Sequence, residues 1–278
     1  MGCAVHEVSL RSLALLSCLC ALAACRQEAP VPPAQAPAAP AEQAVAAADA
    51  VALEDSIETD PRYIIGISYP PAVNRHPGLA AELRRYSEAA RGDLMEAVSG
   101  LGDKAPAAPY DLALAYSLLA ETPRIVAVAA DGTSYTGGAH GTPLVARFVW
   151  LPQRKELLRS QALVPDARGW QAVAGHVREQ LHAALSQRVD ADDLEPAERA
   201  QVVRSAGRMI DEGAQPDPDN FRHFEPALDA EGRIRALRFV FPPYQVGPYS
   251  DGVQTVDVPA SVVLPHVAEE YRDLFAGG

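Results

Sequence analysis

Arg124-Ile125-Val126-Ala127-Val128-Ala129-Ala130 and, after residues 131–143, Leu144-Val145-Ala146-Arg147-Phe148-Val149-Trp150-Leu151 decide the fold class. The first run is apolar almost throughout and rich in β-branched residues, which predicts a largely buried strand. The second alternates. Leu144, Ala146, Phe148 and Trp150 fall on one face and Arg147 on the other, which predicts a second strand. Between them lies Ser134-Tyr135-Thr136-Gly137-Gly138-Ala139-His140-Gly141. Asp131-Gly132 reads as a bulge or as the hairpin turn, and the residue types alone leave both open.

Working outward, Tyr63 to Tyr69 predicts a strand ended by Pro70-Pro71. Residues 77–99 predict a helix, with Pro77 in its first turn and Leu79, Leu83, Tyr86, Ala90, Leu94 and Val98 at helical spacing. A second helix is expected over about 109–121, with Leu112, Tyr116 and Leu119 on one face. Asp166 should cap a helix striped by Trp170, Val173, Val177, Leu181 and Leu185, and Pro196 should start another that runs to about residue 212. A Pro/Asp loop follows at 216–220. Phe224–Leu228 and Ile234–Phe241 read as a hairpin, Thr255–Val258 as a short strand and His266–Phe275 as a final amphipathic helix. Strands in hairpins with helices in pairs imply an α+β fold: mainly antiparallel sheet hairpins packed with amphipathic helices. Residues 54–160 form the expected N-terminal α+β region and 161–278 the C-terminal one.

The N-terminus reads as an export signal. Residues 12–24 are apolar, short of the ~18 that a membrane span needs. Leu22-Ala23-Ala24-Cys25 resembles the bacterial lipobox, in which the Cys25 thiol is lipidated and cleavage falls before it; the alternative is a plain signal peptide cut after Ala24. Residues 25–53 then make an Ala/Pro-rich tether. All four cysteines lie at or before Cys25, so the exported body has no thiol left to form a disulfide. Arg26 in place of Asp suggests the periplasmic face of the outer membrane, with the membrane itself as a partner through the lipid.

A formal charge of −12 argues against nucleic acid as a partner and favours a cationic one. There is no Gly-x-Ser-x-Gly elbow, no His-Glu-x-x-His helix and no cysteine pair for zinc, so neither catalytic residues nor a metal nor a cofactor is expected. The informative residues are Tyr135, Gly137, Gly138, His140 and Gly141. Three glycines among five positions imply unusual backbone or a close approach by other groups. His140 reads either as a chemical group or as a cap on backbone carbonyls. Tyr244, Tyr249 and Asp251 join them as a candidate binding surface, because tyrosines framed by Gly and Pro suit protein or sugar contact.

The Tyr135–Gly141 loop and the segment Phe241-Pro242-Pro243-Tyr244-Gln245-Val246-Gly247-Pro248-Tyr249-Ser250-Asp251-Gly252, followed by Val256-Asp257-Val258-Pro259, carry a resemblance. In their order and spacing they resemble the paired domain-of-unknown-function families 3298 and 4163, over about residues 55–275. That resemblance takes in the extracellular domain of a lysozyme-sensing anti-sigma factor and the non-catalytic N-terminal part of a peptidoglycan deacetylase. It implies a cell-envelope module that binds a lysozyme-like protein or peptidoglycan and is not an enzyme. Two other readings stay open: an envelope glycan hydrolase or deacetylase using His140 with Asp251, and a structural envelope lipoprotein.

Overall fold

The structure is a computed structural model that describes residues 52–278, apart from Asp103 and Asp193. The signal segment, Cys25 and the tether up to residue 51 lie outside the described residues. The chain opens with β1 (Ser56–Asp60) and β2 (Tyr63–Ser68), crosses over through helix α1 (Pro77–Gly100), and continues as a meander of β3 (Tyr110–Glu121), β4 (Val126–Tyr135), β5 (Thr142–Leu151) and β6 (Glu156–Leu157). These strands form one sheet in sequence order. Only β2 and β3 pair in parallel, because α1 carries the chain back to the start of the sheet. Helix α2 (Ser160–Leu163), α3 (Ala167–Ala191) and α4 (Pro196–Gly213) follow. Then β7 (Phe224–Leu228), β8 (Ile234–Phe241) and β9 (Gln254–Pro259) form a second, antiparallel sheet, and α5 (Ala260–Val263) leads into terminal 3-10 turns. The fold is α+β with mostly antiparallel strands.

Residues 110–121 are a strand, not the helix expected from them. Their apolar residues repeat every second position as well as every fourth. Leu112, Leu114 and Tyr116 are buried, while Ala113, Ala115 and Ser117 face the other way and are exposed. Alanine raises helix propensity, yet pairing with β2 on one side and β4 on the other outweighs it. Strands β1 and β6 were not foreseen. The C-terminal stretch holds 3-10 turns at Leu264–His266 and Glu269–Leu274 where an α-helix was expected. Asp131-Gly132 is neither bulge nor turn: both residues keep register inside β4, facing Ala115 and Leu114. A β-carbon on Gly132 would sit 2.1 Å from the Ala113 carbonyl oxygen, so glycine permits this close strand approach.

Two cores result. Helix α1 lays Leu79, Leu83, Leu94 and Val98 on Ile65, Leu112, Val128, Phe148 and Trp150. Each of those leucines contributes roughly 1.5–3 kcal/mol by burial. Tyr116 anchors the helix as well, its hydroxyl donating to the Leu83 carbonyl at 2.9 Å. The larger core joins the α3 stripe to Phe221, Phe239, Phe241 and Val258, and draws in Val149 and Leu151 from the opposite face of β5. Asp166 caps α3 by accepting from the Arg168 amide at 2.9 Å.

A buried ionic knot ties the two sheets together. The Arg147 side chain is 8% exposed. Its Nε donates to Glu225 on β7 at 2.5 Å, and its Nη1 donates to Asp131 on β4 and to the Ala146 carbonyl, each at 2.9 Å. Next to it, burial together with the charges of Arg222 and Arg147 pushes the His223 imidazole down to about 4. The geometry agrees with a neutral ring: Nε2 of His223 accepts from Nε of Arg222 at 3.2 Å, which a protonated nitrogen could not do.

Candidate functional site

Two loops meet at one end of the molecule: residues 136–141 at the tip of the β4–β5 hairpin, and residues 242–253 between β8 and β9. At their contact His140 stacks on Tyr249, with ring centroids 4.1 Å apart and planes 16° from parallel. Tyr244 lies against both, 6.1 Å from His140 and 5.7 Å from Tyr249. The Tyr244 hydroxyl and Nε2 of His140 are 2.9 Å apart, and Nδ1 of His140 lies 3.1 Å from the Gly141 carbonyl. One neutral tautomer satisfies both contacts: Nδ1–H donates to the carbonyl and Nε2 accepts from the tyrosine. His140 therefore does cap a carbonyl, and it also joins the two loops.

The sequence dictates much of this local geometry. Gly137 and Gly138 both adopt positive φ, +102° and +97°, which lets the hairpin tip fold over. The Tyr135 hydroxyl donates to the Gly138 carbonyl at 3.3 Å and braces the tip, so Tyr135 supports the ring cluster without joining it. In the facing loop, Pro243 and Tyr244 occupy the middle of a turn closed by the Gln245 amide donating to the Pro242 carbonyl at 3.1 Å. Tyr244 has φ +73°, a value usually left to Gly or Asn at the third position of such a turn. Holding a tyrosine there costs on the order of 1–2 kcal/mol, and the residue is 54% exposed. The strained position is held by the ring's contacts with His140 and Tyr249 and by the hydroxyl bond to His140.

Rigid supports hold the loop from behind. Nε2 of Gln245 donates to the carbonyls of Gly213 at 3.0 Å and Asn220 at 2.9 Å. Gly213 ends α4 so close to this loop that a β-carbon would lie 1.8 Å from the Gln245 carbonyl oxygen. Asp251 is held by Arg188 of α3 at 2.9 Å, and no hydrogen bond joins it to His140. Of the residues proposed from sequence, the structure brings His140, Tyr244 and Tyr249 into contact. Gly137, Gly138, Gly141 and Tyr135 shape one loop, and Asp251 braces the other. Gln245 and Arg188 were missed, because their roles depend on what long-range folding places beside them. The positive φ of Tyr244 was readable only as a Pro-Pro-Tyr turn lacking its usual glycine.

Among the described residues no group of three His, Cys, Asp or Glu side chains is placed to hold a metal ion, and no helix is long and apolar enough to cross a membrane.

Residues 171–261 match the family described as "Protein of unknown function (DUF3298)". The DUF3298 segment runs from α3 to α5 and supplies Tyr244, Tyr249 and Asp251, while His140 comes from outside it. No curated protein matches the chain. Among solved structures, a DUF3298 family protein from Pseudomonas aeruginosa PAO1 is similar at 16% identity and TM-score 0.51, over 81% of this chain and 94% of that one. A member of the same family from Bacteroides fragilis NCTC 9343 aligns at 15% identity and TM-score 0.48, over 78% of this chain and 92% of that one. At such identities the first likeness speaks to the fold alone.

Proposed function

We propose that this chain is a non-catalytic binding module of the bacterial cell envelope, anchored through a lipidated Cys25, which holds peptidoglycan on the ring cluster of His140, Tyr244 and Tyr249. The observation that carries the reading is that cluster: three rings from two separate loops, locked by a stack and a hydrogen bond, with His140 and Tyr244 exposed and Tyr249 half-buried beneath them. Flat aromatic faces with polar tips suit ligands that are apolar on one side and hydroxylated on the other, as sugars are. Because the loops are fixed by Gln245, Gly213 and Arg188, little ordering entropy remains to oppose binding. The anchor rests on Leu22-Ala23-Ala24-Cys25 and the absence of any later cysteine. The likeness of residues 54–160 to family 4163 belongs to the same reading.

A second reading is a cationic, lysozyme-like protein as partner, favoured by the formal charge of −12. Co-sedimentation with insoluble peptidoglycan and calorimetry with lysozyme separate the two. Tyr249→Ala and Tyr244→Gly should each weaken peptidoglycan binding by about tenfold or more. Tyr244→Gly should do so without lowering the melting temperature, since glycine relieves the strained turn. Unchanged retention of both variants on peptidoglycan would refute the site, and tight binding to lysozyme alone would move the proposal to the second partner.

A further inference from the structure

A second concavity, away from the ring cluster, lies between α1, the β6–α2 segment and the 3-10 turn Pro218–Phe221. Its volume is about 340 Å³, within the range of small-molecule sites. Arg147, Arg159 and Arg222 all line it. Arg147 is the fixed member, with Nε and Nη1 already held by Glu225, Asp131 and backbone carbonyls. Its Nη2 has no hydrogen-bond partner among the described residues. The Arg222 side chain is bonded only to the neutral His223, and the Arg159 side chain has neither a hydrogen bond nor an ion pair among the described residues. In a chain this acidic, two guanidinium groups without carboxylate partners in one cleft are unusual.

Two carboxylates share the lining. Glu82 is held by Arg85 at 2.7 Å, whereas the Asp219 carboxylate makes no ion pair among the described residues. A bare anion would meet the arginines but also the unpaired Asp219. A bare cation would face three guanidiniums. A ligand carrying both charges satisfies every group, and the guanidinium fork is the best partner a carboxylate can find.

We propose that this cleft binds a small zwitterion of the amino-acid or short-peptide class, with its carboxylate on Arg147 and Arg222, Arg159 closing over it, and its ammonium on Asp219. The assignment is independent of the ring cluster and stands whether or not that cluster binds peptidoglycan.

The test is a nuclear magnetic resonance titration of the full chain with three probes: alanyl-alanine, N-acetyl-alanyl-alanine and inorganic phosphate. Alanyl-alanine should give saturable amide shifts confined to residues 147–149, 157–161 and 219–223, with a Kd on the order of 1 mM or tighter. Removing its charge partner by acetylation, or by Asp219→Asn, should weaken it by about tenfold, as should Arg222→Ala or Arg159→Ala. Arg159 and Arg222 are exposed, so these variants should keep the wild-type melting temperature, and Tyr249→Ala should leave the titration unchanged. The proposal is overturned if alanyl-alanine produces no saturable shifts, if the acetylated dipeptide binds equally well, or if phosphate binds more tightly than either.

Discussion

Replacing His223 by Asn should flatten the acid side of the stability profile. The ring sits beside the Arg147 knot with its Nε2 committed to Arg222, and burial aided by the two arginine charges pushes it down to about 4 from the ordinary 6.5. The sign follows from proton counts. Below 6.5 the unfolded chain protonates this imidazole, while the folded chain refuses the proton until about 4. Stability that is complete above 6.5 is therefore lost as pH falls, and the loss levels off near 4. Between about pH 7 and pH 5 the two values correspond to a loss of about 2 kcal/mol. Glu58, Glu121 and Asp257 are held below their ordinary values by Arg91, Arg75 and Arg238 respectively, and they add their own losses at lower pH. Those losses are common to wild type and variant and cancel in the difference. Urea unfolding followed by fluorescence of the buried Trp150 and Trp170 reads the effect. The wild type should lose about 2 kcal/mol more than His223→Asn over that interval. Equal losses in the two proteins would refute the claim that His223 is held neutral by its surroundings.

Arg147→Met should cost about 3–5 kcal/mol, because it strands Glu225 and Asp131 without their cation. Adding Glu225→Gln should recover part of that loss, and a double-mutant cycle from chemical denaturation measures how much. Gly132→Ala should lower stability by about 2 kcal/mol or more, since its methyl would collide with the Ala113 carbonyl across the β3–β4 ladder. An unchanged melting temperature for that variant would contradict the register.

The sequence was most readable where the pattern is long and local. The α1 and α3 stripes, the Asp166 cap and the β7–β8 hairpin all sit where spacing and turn chemistry placed them. Residues 110–121 failed because Leu112 and Tyr116 satisfy a period of two as well as a period near four. Only the flanking strands decide between them, and no local feature announces those partners. The same limit applies to the candidate site. The glycines of the hairpin tip and the tyrosines of the later loop stood out by residue type. That His140 would stack on Tyr249 depends on a contact spanning more than a hundred positions of chain, which no periodicity encodes. The arginine-lined cleft was invisible for the same reason, as its walls come from three distant segments.

The boundaries at which residues 171–261 match a known family are not boundaries of folding. Trp170, one residue before the match, stacks on Phe221 at 5.4 Å and donates to the Val164 carbonyl. Beyond its end, Phe275 pairs with Ile234 and the Ala276 amide donates to the Ile234 carbonyl at 2.9 Å. Excised at those limits, the segment would keep its helices and hairpin on paper. It would also leave bare an aromatic floor that outside residues now cover, and Glu225 would lose its bonded partner Arg147. The heritable unit recognised by sequence similarity and the autonomous physical unit are different lengths of this polypeptide. Experiments on fragments should respect the longer one.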